Sequence, residues 1–191
     1  KWSFVIKMLQ MKGFPDKWCD WVMETMRGGH VGVRVNDEIG PYFKKFKGLR
    51  QGDSLSPLLF DIAADALAII LENAKRGGFV KGVLSELNDC EINMLQYADD
   101  TIFLLQDDEN GAKNLKFILT AFEQMSGLII NFHKSELFCF GRAKENEDQY
   151  RQLFGCEVGT LPFTYLGIPI HHRKLTNNEW KIIEDRFEQK N

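Results

Sequence analysis

The sequence has no long apolar run, no large excess of either charge, few prolines and no closely spaced cysteines. Its hydrophobic stretches stop well short of the roughly 20 residues that a membrane-spanning helix requires, so no membrane segment is expected. The net charge of −3 over 191 residues gives no global basic signature. Any contact with nucleic acid therefore has to come from a local patch. The four cysteines, Cys19, Cys90, Cys139 and Cys156, stand far apart without a C-x-x-C spacing. That argues against a zinc site and suggests reduced thiols in an intracellular compartment. The start, "KWSFVIKML", carries neither an initiator Met nor the layout of a signal peptide. It lies already inside an amphipathic pattern, as expected of a segment cut from something longer. What is present is a hydrophobic fraction of 44% with 15 Phe, the composition of a folded chain. The length suits one domain, or one domain and a fragment of another.

Periodicity gives a mixed pattern. Residues 2 to 11 and 16 to 27 read as helices separated by "GFPD", where Asp16 is placed to cap the second. Val31, Val33 and Val35 alternate with small or polar residues, and "NDEIG" turns the chain toward a second strand near residues 42 to 46. Ser56 before Pro57 is a helix start. Leu58, Leu59, Ile62, Ala66, Ile69 and Ile70 then predict a helix over 57 to 75. A strand-like "FVKGVL" leads to strands at 92 to 96 and 101 to 105, with Asp99 and Asp100 between them. After a polar turn at 107 to 111, Leu115, Ile118, Leu119, Phe122 and Met125 predict a helix over 112 to 126, closed by Gly127. "LIINFHKSELFCF" reads as one or two strands, and "TLPFTYLGIPI" as a short hairpin. Thr176 and Glu179 form a capping-box pattern that opens a last helix. Helices mixed with antiparallel hairpins make an α+β architecture.

Two segments carry chemistry. In "NMLQYADDTIFLL", residues 93 to 105, two adjacent carboxylates stand at the tip of a hairpin with apolar flanks. An acidic surface turn is one reading. The other is half of a site for two Mg²⁺ ions roughly 3.5–4 Å apart, which in phosphoryl transfer clamp the attacking and leaving oxygens. In "KGLRQGDSLSPLLF", Gly48 and Gly52 bracket Leu49-Arg50-Gln51, so the backbone can approach a ligand without a Cβ in the way. Arg50 offers a planar fork suited to phosphate, just ahead of a helix start. Residues 44 to 53 hold four cations (Lys44, Lys45, Lys47, Arg50) against one carboxylate, Asp53, a net of +3 interleaved with Phe46. A lysine-protected edge strand is the competing explanation.

Together these segments resemble reverse transcriptases. "GLRQGDSLSPLLF" followed by "YADDT" is similar to motifs B and C of that family, "SGLIINFHKSE" resembles motif D, and "FTYLGIPI" resembles the motif E or primer-grip region. The wording is nearest to retrotransposons lacking long terminal repeats, the LINE-type elements of plants in particular. The four motifs stand in the family's order over nearly all of the chain.

The resemblance implies a right-hand polymerase palm, an antiparallel sheet backed by helices. Residues 1–160 would belong to the palm, and 161–191 to the primer-grip hairpin and the start of the thumb. Asp99 and Asp100 would be the catalytic metal ligands, holding Mg²⁺. Arg50, Gln51 and Gly52 would line the nucleotide pocket, and Lys134 would protonate or neutralise the leaving pyrophosphate. Tyr97, Leu166 and Gly167 would handle the primer. The implied partners are an RNA template, a DNA primer, deoxynucleoside triphosphates and the rest of the element's polyprotein, in the nucleus or cytoplasm.

One departure stands out. The family's third carboxylate, the motif A Asp, would lie just ahead of the "KWSF" start, and the fingers would lie upstream of it. The chain alone is therefore expected to bind metal weakly and not to polymerise. A non-catalytic nucleic-acid-binding module and a decayed element fragment are the rival readings. Asp61 and Asp65, four apart on one helix, read as a solvated face, and His30, His133, His171 and His172 as surface residues. Trp2, Trp18 and Trp21 read as helix anchors.

Overall fold

The computed structural model describes residues 1–83 and 91–188. The expected "FVKGVL" strand runs partly outside these residues, as does Cys90. Two compact units result, Lys1–Ile130 and Asn131–Asn191.

Four helices form the core of the first unit: α1 (Trp2–Met11), α2 (Asp16–Arg27), α3 (Ser56–Arg76) and α4 (Glu109–Ser126). Helix α1 packs on the other three, and α3 packs on α4. Leu9, Cys19, Leu59, Leu71 and Leu115 are almost wholly buried where these faces meet. Phe4 meets Phe122 edge-on at 6.1 Å. On α3 the buried stripe is Leu59, Ile62, Ala63, Ala64, Ala66, Leu67 and Leu71. Leu58 and Ile69, expected in that stripe, are instead exposed. The buried face therefore keeps Leu59, Ile62 and Ala66 of the expected stripe and adds Ala63, Ala64, Leu67 and Leu71. Lys12 of α1 pairs with Asp65 of α3, so that carboxylate is an inter-helix tie.

Both expected caps are displaced. The residue flanking α3 is Leu55, and Ser56 lies inside the helix. Helix α3 has no side-chain cap; Asp53 instead forms a turn just ahead of it, its Oδ1 accepting the Leu55 N–H at 2.9 Å. Asp16 is already helical, and Pro15 occupies the flanking position of α2. Helix α4 begins within the expected polar turn, because Asp108 accepts the backbone N–H groups of Asn110 and Gly111 at 3.2 and 2.9 Å. It ends where expected, at Gly127 with φ +77°.

Between α2 and α3 the chain makes four short strands: β1 (His30–Val31), β2 (Arg34–Val35), β3 (Glu38–Ile39) and β4 (Phe43–Lys44). β2 and β3 pair around Asn36-Asp37, both in the left-handed region, and β1 pairs with β4 outside them. Gly32 and the Gly40-Pro41 step interrupt the ladder, since Pro lacks the donor that pairing needs. The alternating valines bury no face here: Val33, Val35 and Ile39 are all exposed. Farther on, β5 (Met94–Tyr97) pairs antiparallel with β6 (Asp100–Phe103), one residue earlier than expected at the second strand. The base of this hairpin is anchored. Leu104 N–H donates to Asn93 O at 2.9 Å, and Gln106 N–H to Lys81 O at 3.1 Å. Val83 bridges Ile92, and the side-chain amide of Asn114 on α4 donates to Phe79 O at 2.7 Å.

In the second unit the expected strands of "LIINFHKSELFCF" are mostly absent. Phe132–Lys134 is a 3₁₀ turn, and only β7 (Glu136–Leu137) is extended. Asn131 explains this: its side chain accepts the Lys134 N–H, and its carbonyl accepts the Ser135 hydroxyl. Local bonds thus take up groups that a ladder would use. A second 3₁₀ turn (Gly141–Asn146) leads into α5 (Glu147–Phe154). β8 (Glu157–Val158) then pairs parallel with β7. The predicted hairpin is present as β9 (Phe163–Tyr165) and β10 (Ile168–Ile170). Before α6 (Asn177–Glu188), Thr176 donates through its N–H and its hydroxyl to Glu179, at 2.7 and 2.8 Å. Arg173 clamps the same carboxylate with two bonds of 3.0 Å.

The α+β expectation holds at this level: helices mixed with small, mainly antiparallel ladders. A single continuous sheet is not formed among the described residues, where the strands pair only two by two. Most are two or three residues long and interrupted by Gly, Pro or local side-chain bonds.

Candidate active site

The two carboxylates stand at the tip of the β5–β6 hairpin. Tyr97 faces Asp100 across the ladder, which leaves Ala98 and Asp99 as the turn. Ala98 takes φ +51°, a conformation that disfavours a Cβ. Strain of this kind collects at sites where the surroundings over-determine the backbone. Asp99 and Asp100 are both exposed, and Tyr97 beside them is 63% exposed. The apolar flanks of the pair are not deeply buried: Leu95 is exposed, while Met94, Ile102 and Phe103 are half-buried. No third described strand covers the hairpin edge.

Carboxylate oxygens suit a hard divalent cation. Among the described residues, however, no third His, Cys, Asp or Glu joins them in a metal-holding group. The donors match the chemistry of such an ion but fall short in number for a two-ion site. No catalytic step is assigned to the pair as it stands.

The Gly-bracketed loop is built for close approach. Gly48 and Gly52 have φ +78° and +83°, with open space where a Cβ would lie. The Trp2 indole N–H donates to Gly48 O at 2.8 Å, so this helix anchor also pins the loop. Asp53 N–H closes back on Arg50 O at 3.3 Å. Arg50, Gln51 and Gly52 are left exposed immediately ahead of α3. Upstream, Phe43 and Phe46 are 53% and 82% exposed among the lysines.

Tyr97, Asp99, Asp100, Arg50, Gln51 and Gly52 all belong to the first unit. The remaining predicted residues belong to the second. Lys134 is exposed at the end of its 3₁₀ turn. Leu166 and Gly167 form the β9–β10 turn at φ +50° and +83°, with Leu166 51% exposed. Of the tryptophans, Trp18 stacks on Phe14 at 4.7 Å, whereas Trp21 is 60% exposed under the Lys17 ammonium. One feature was missed altogether: a cavity in the second unit to which His171 and His172 contribute. Its walls come from four separated segments, so no spacing in the sequence announces it.

Comparison with known proteins settles the class. Residues 1–170 match the family model for reverse transcriptase (RNA-dependent DNA polymerase). The chain belongs to the reverse transcriptase family. It is 27% identical over 130 residues to a Retrovirus-related Pol polyprotein from type-1 retrotransposable element R2 of Popillia japonica, covering 68% of this chain and 20% of that protein. The corresponding polyprotein from type-2 element R2DM of Drosophila melanogaster is 24% identical over 179 residues, 94% of this chain and 15% of that protein. An uncharacterized mitochondrial protein of Arabidopsis thaliana is 42% identical over 55 residues, 29% of this chain and 45% of that one. The chain thus spans a fifth or less of the two polyproteins. The resemblance read from motifs B to E is borne out, and it extends to relatives from retrotransposable elements.

Proposed function

We propose that this chain is part of the palm of a retrotransposon reverse transcriptase without long terminal repeats. Residues 1–160 form its palm portion, and 161–191 its primer-grip hairpin and the beginning of a thumb. The parent reaction joins a deoxynucleotide to the 3′-hydroxyl of a primer on an RNA template, inside a cell. The observation that carries this reading is the carboxylate pair at a two-residue hairpin turn, in a chain of this family.

Within it, Asp99 and Asp100 are the residues that would hold Mg²⁺ once a third carboxylate joins them. Arg50, Gln51 and Gly52 receive the triphosphate, with the open backbone at Gly52 and the Arg50 fork facing anionic oxygens. Tyr97 packs near the primer terminus, Leu166 and Gly167 support the primer strand, and Lys134 neutralises the departing pyrophosphate. These 191 residues alone do not polymerise. The missing third ligand also favours a second reading, in which the chain binds nucleic acid without catalysis.

A protein lengthened at its N-terminus so that a third carboxylate joins the pair distinguishes the two. It should extend a primer on an RNA template when Mg²⁺ is added. Asp99→Asn should lower the rate about a hundredfold or more, the loss expected when several kcal/mol of metal-borne charge stabilisation disappears. An extended protein that binds RNA but never extends the primer overturns the catalytic reading.

A further inference from the structure

The cavity in the second unit has a volume of about 520 Å³. That lies within the roughly 300–1,000 Å³ typical of small-molecule sites. Its walls are mainly apolar, and its few polar groups are of distinct kinds. Phe138 and Phe140 line it where the chain leaves β7, Lys144 and Glu147 line it near the start of α5, and His171 and His172 line it just beyond β10. Phe138 is braced from behind by a stacked Phe163 ring at 4.6 Å. Gly159 makes that position possible, since a Cβ there would fall 2.4 Å from the Phe138 ring. Phe140 stays half open and stands 6.1 Å from the His172 ring, which in turn lies 4.4 Å from the His171 ring.

His171 has a defined hydrogen-bonding state. The Arg173 N–H donates to Nδ1 of His171 at 3.2 Å, which requires that nitrogen to be unprotonated. Loss of solvation first, then the positive charges of Arg173 and His172, hold its imidazole below the usual value, with Glu179 opposing. His171 is therefore neutral near pH 7 and offers Nε2–H as a donor. Three flat rings, a cation, a carboxylate and a neutral imidazole thus share one cavity.

We propose that this cavity binds a single nucleotide unit. The base stacks on the half-open face of Phe140, with the His172 ring, tilted 59° to it, against the base edge. The phosphate is neutralised by Lys144, and an amino or hydroxyl group is held by Glu147. Stacking on aromatic faces accepts every base, so the site selects a nucleotide without reading sequence. The choice of a nucleotide over another flat anion rests on the reverse-transcriptase reading. The His pair directly follows the hairpin proposed to support the primer, so an unpaired base of a nucleic-acid strand is one source, and a free mononucleotide is the other.

The test uses the full chain with two probes: AMP, and a short single-stranded DNA carrying 2-aminopurine. Stacking should quench the 2-aminopurine emission. Phe140→Ala should weaken binding about tenfold, as for loss of one stacking partner, and His172→Ala should weaken it by less, as for loss of an edge contact. Lys144→Ala should weaken it while preserving the quench at saturation. Phe140 is half exposed and Lys144 exposed, so these variants should retain the far-ultraviolet circular dichroism of the parent. Quenching that AMP does not displace assigns the site to strands, and displacement by AMP assigns it to mononucleotides. Affinity unchanged in Phe140→Ala and His172→Ala, with AMP leaving the His171 and His172 proton resonances unmoved, overturns the proposal. Primer extension by the upstream-extended protein is read separately. Extension without cavity binding removes this inference alone, and cavity binding without extension removes the catalytic reading alone.

Discussion

Glu179 gathers four hydrogen bonds at the start of α6. It accepts from Arg173 twice and from Thr176 twice. The Arg173 bonds above all, then the Thr176 backbone and hydroxyl, lower its carboxyl from 4.5 to about 2. A carboxyl lowered on folding contributes stability that is complete above its unfolded value and is lost as pH falls through the folded one. The cap of α6 should therefore persist down to about pH 4.5 and come apart on approach to pH 2. A carboxyl NMR titration following Glu179 should show a midpoint near 2, and Glu179→Gln should remove this acid transition from the amide resonances of 176–179. A second residue-scale test lies at the hairpin tip. Ala98→Gly relieves a left-handed alanine and should stabilise the turn by about 1 kcal/mol, measured by denaturant unfolding. The same position tests whether strain serves the proposed site, because a looser turn in the extended protein should lower its extension rate.

Helices and hairpins obey their caps and cores more than their nominal patterns. Asp108→Ala removes two bonds to the start of α4 and should cost about 1 kcal/mol. Leu115→Ala empties a nearly fully buried position on the same helix and should cost about 2–5 kcal/mol. Thermal melts of the two variants would separate a fraying end from a damaged core. Much of this level was legible in the residues. Helices at 2–11 and 16–27, the 163–170 hairpin, the Gly127 stop and the Thr176–Glu179 pair all follow from periodicity and turn chemistry acting locally. The strands expected in 128–140 failed because Asn131 and Ser135 satisfy the backbone locally, a competition that apolar content does not reveal. On α3 the expected Leu59, Ile62 and Ala66 are buried, but Leu58 and Ile69 are exposed while Ala63, Ala64 and Leu67 are buried, a rotation of the face that depends on which helices pack against it. At the site, the carboxylate pair and the glycine loop were readable because glycine and charge carry chemistry at single positions. The cavity was not, since its walls meet only through tertiary structure.

For the molecule as a whole, the division into compact units falls at 130/131, whereas the proposed division of roles falls at 160/161. Compactness follows the β7–β8 pair and the Phe138–Phe163 stack, which tie residues after 130 to the hairpin beyond them. Overall charge makes a further prediction. With a net −3, attraction to nucleic acid has to come from local cations, and Lys44, Lys45, Lys47 and Arg50 form one such patch. Four phosphate contacts on a single strand give a slope of log affinity against log salt of about −3, at roughly −0.7 per contact. A filter-binding series in rising salt should find a slope near this, steeper by about 0.7 for each further cation, such as Lys144, that meets a phosphate. Replacing Lys44 and Lys47 by Ala should flatten it by about 1.4, two contacts at the same value.

The β5–β6 hairpin ends in a chemically active turn but runs back along strands that lack a described neighbour. A ladder rim with unpaired amides and carbonyls recognises geometry before identity. Any extended segment of matching register can zip onto it, whether it comes from the rest of the parent protein or from another copy of the chain. Among the described residues no strand occupies that rim, so the hairpin that presents Asp99 and Asp100 offers an edge as well as a tip.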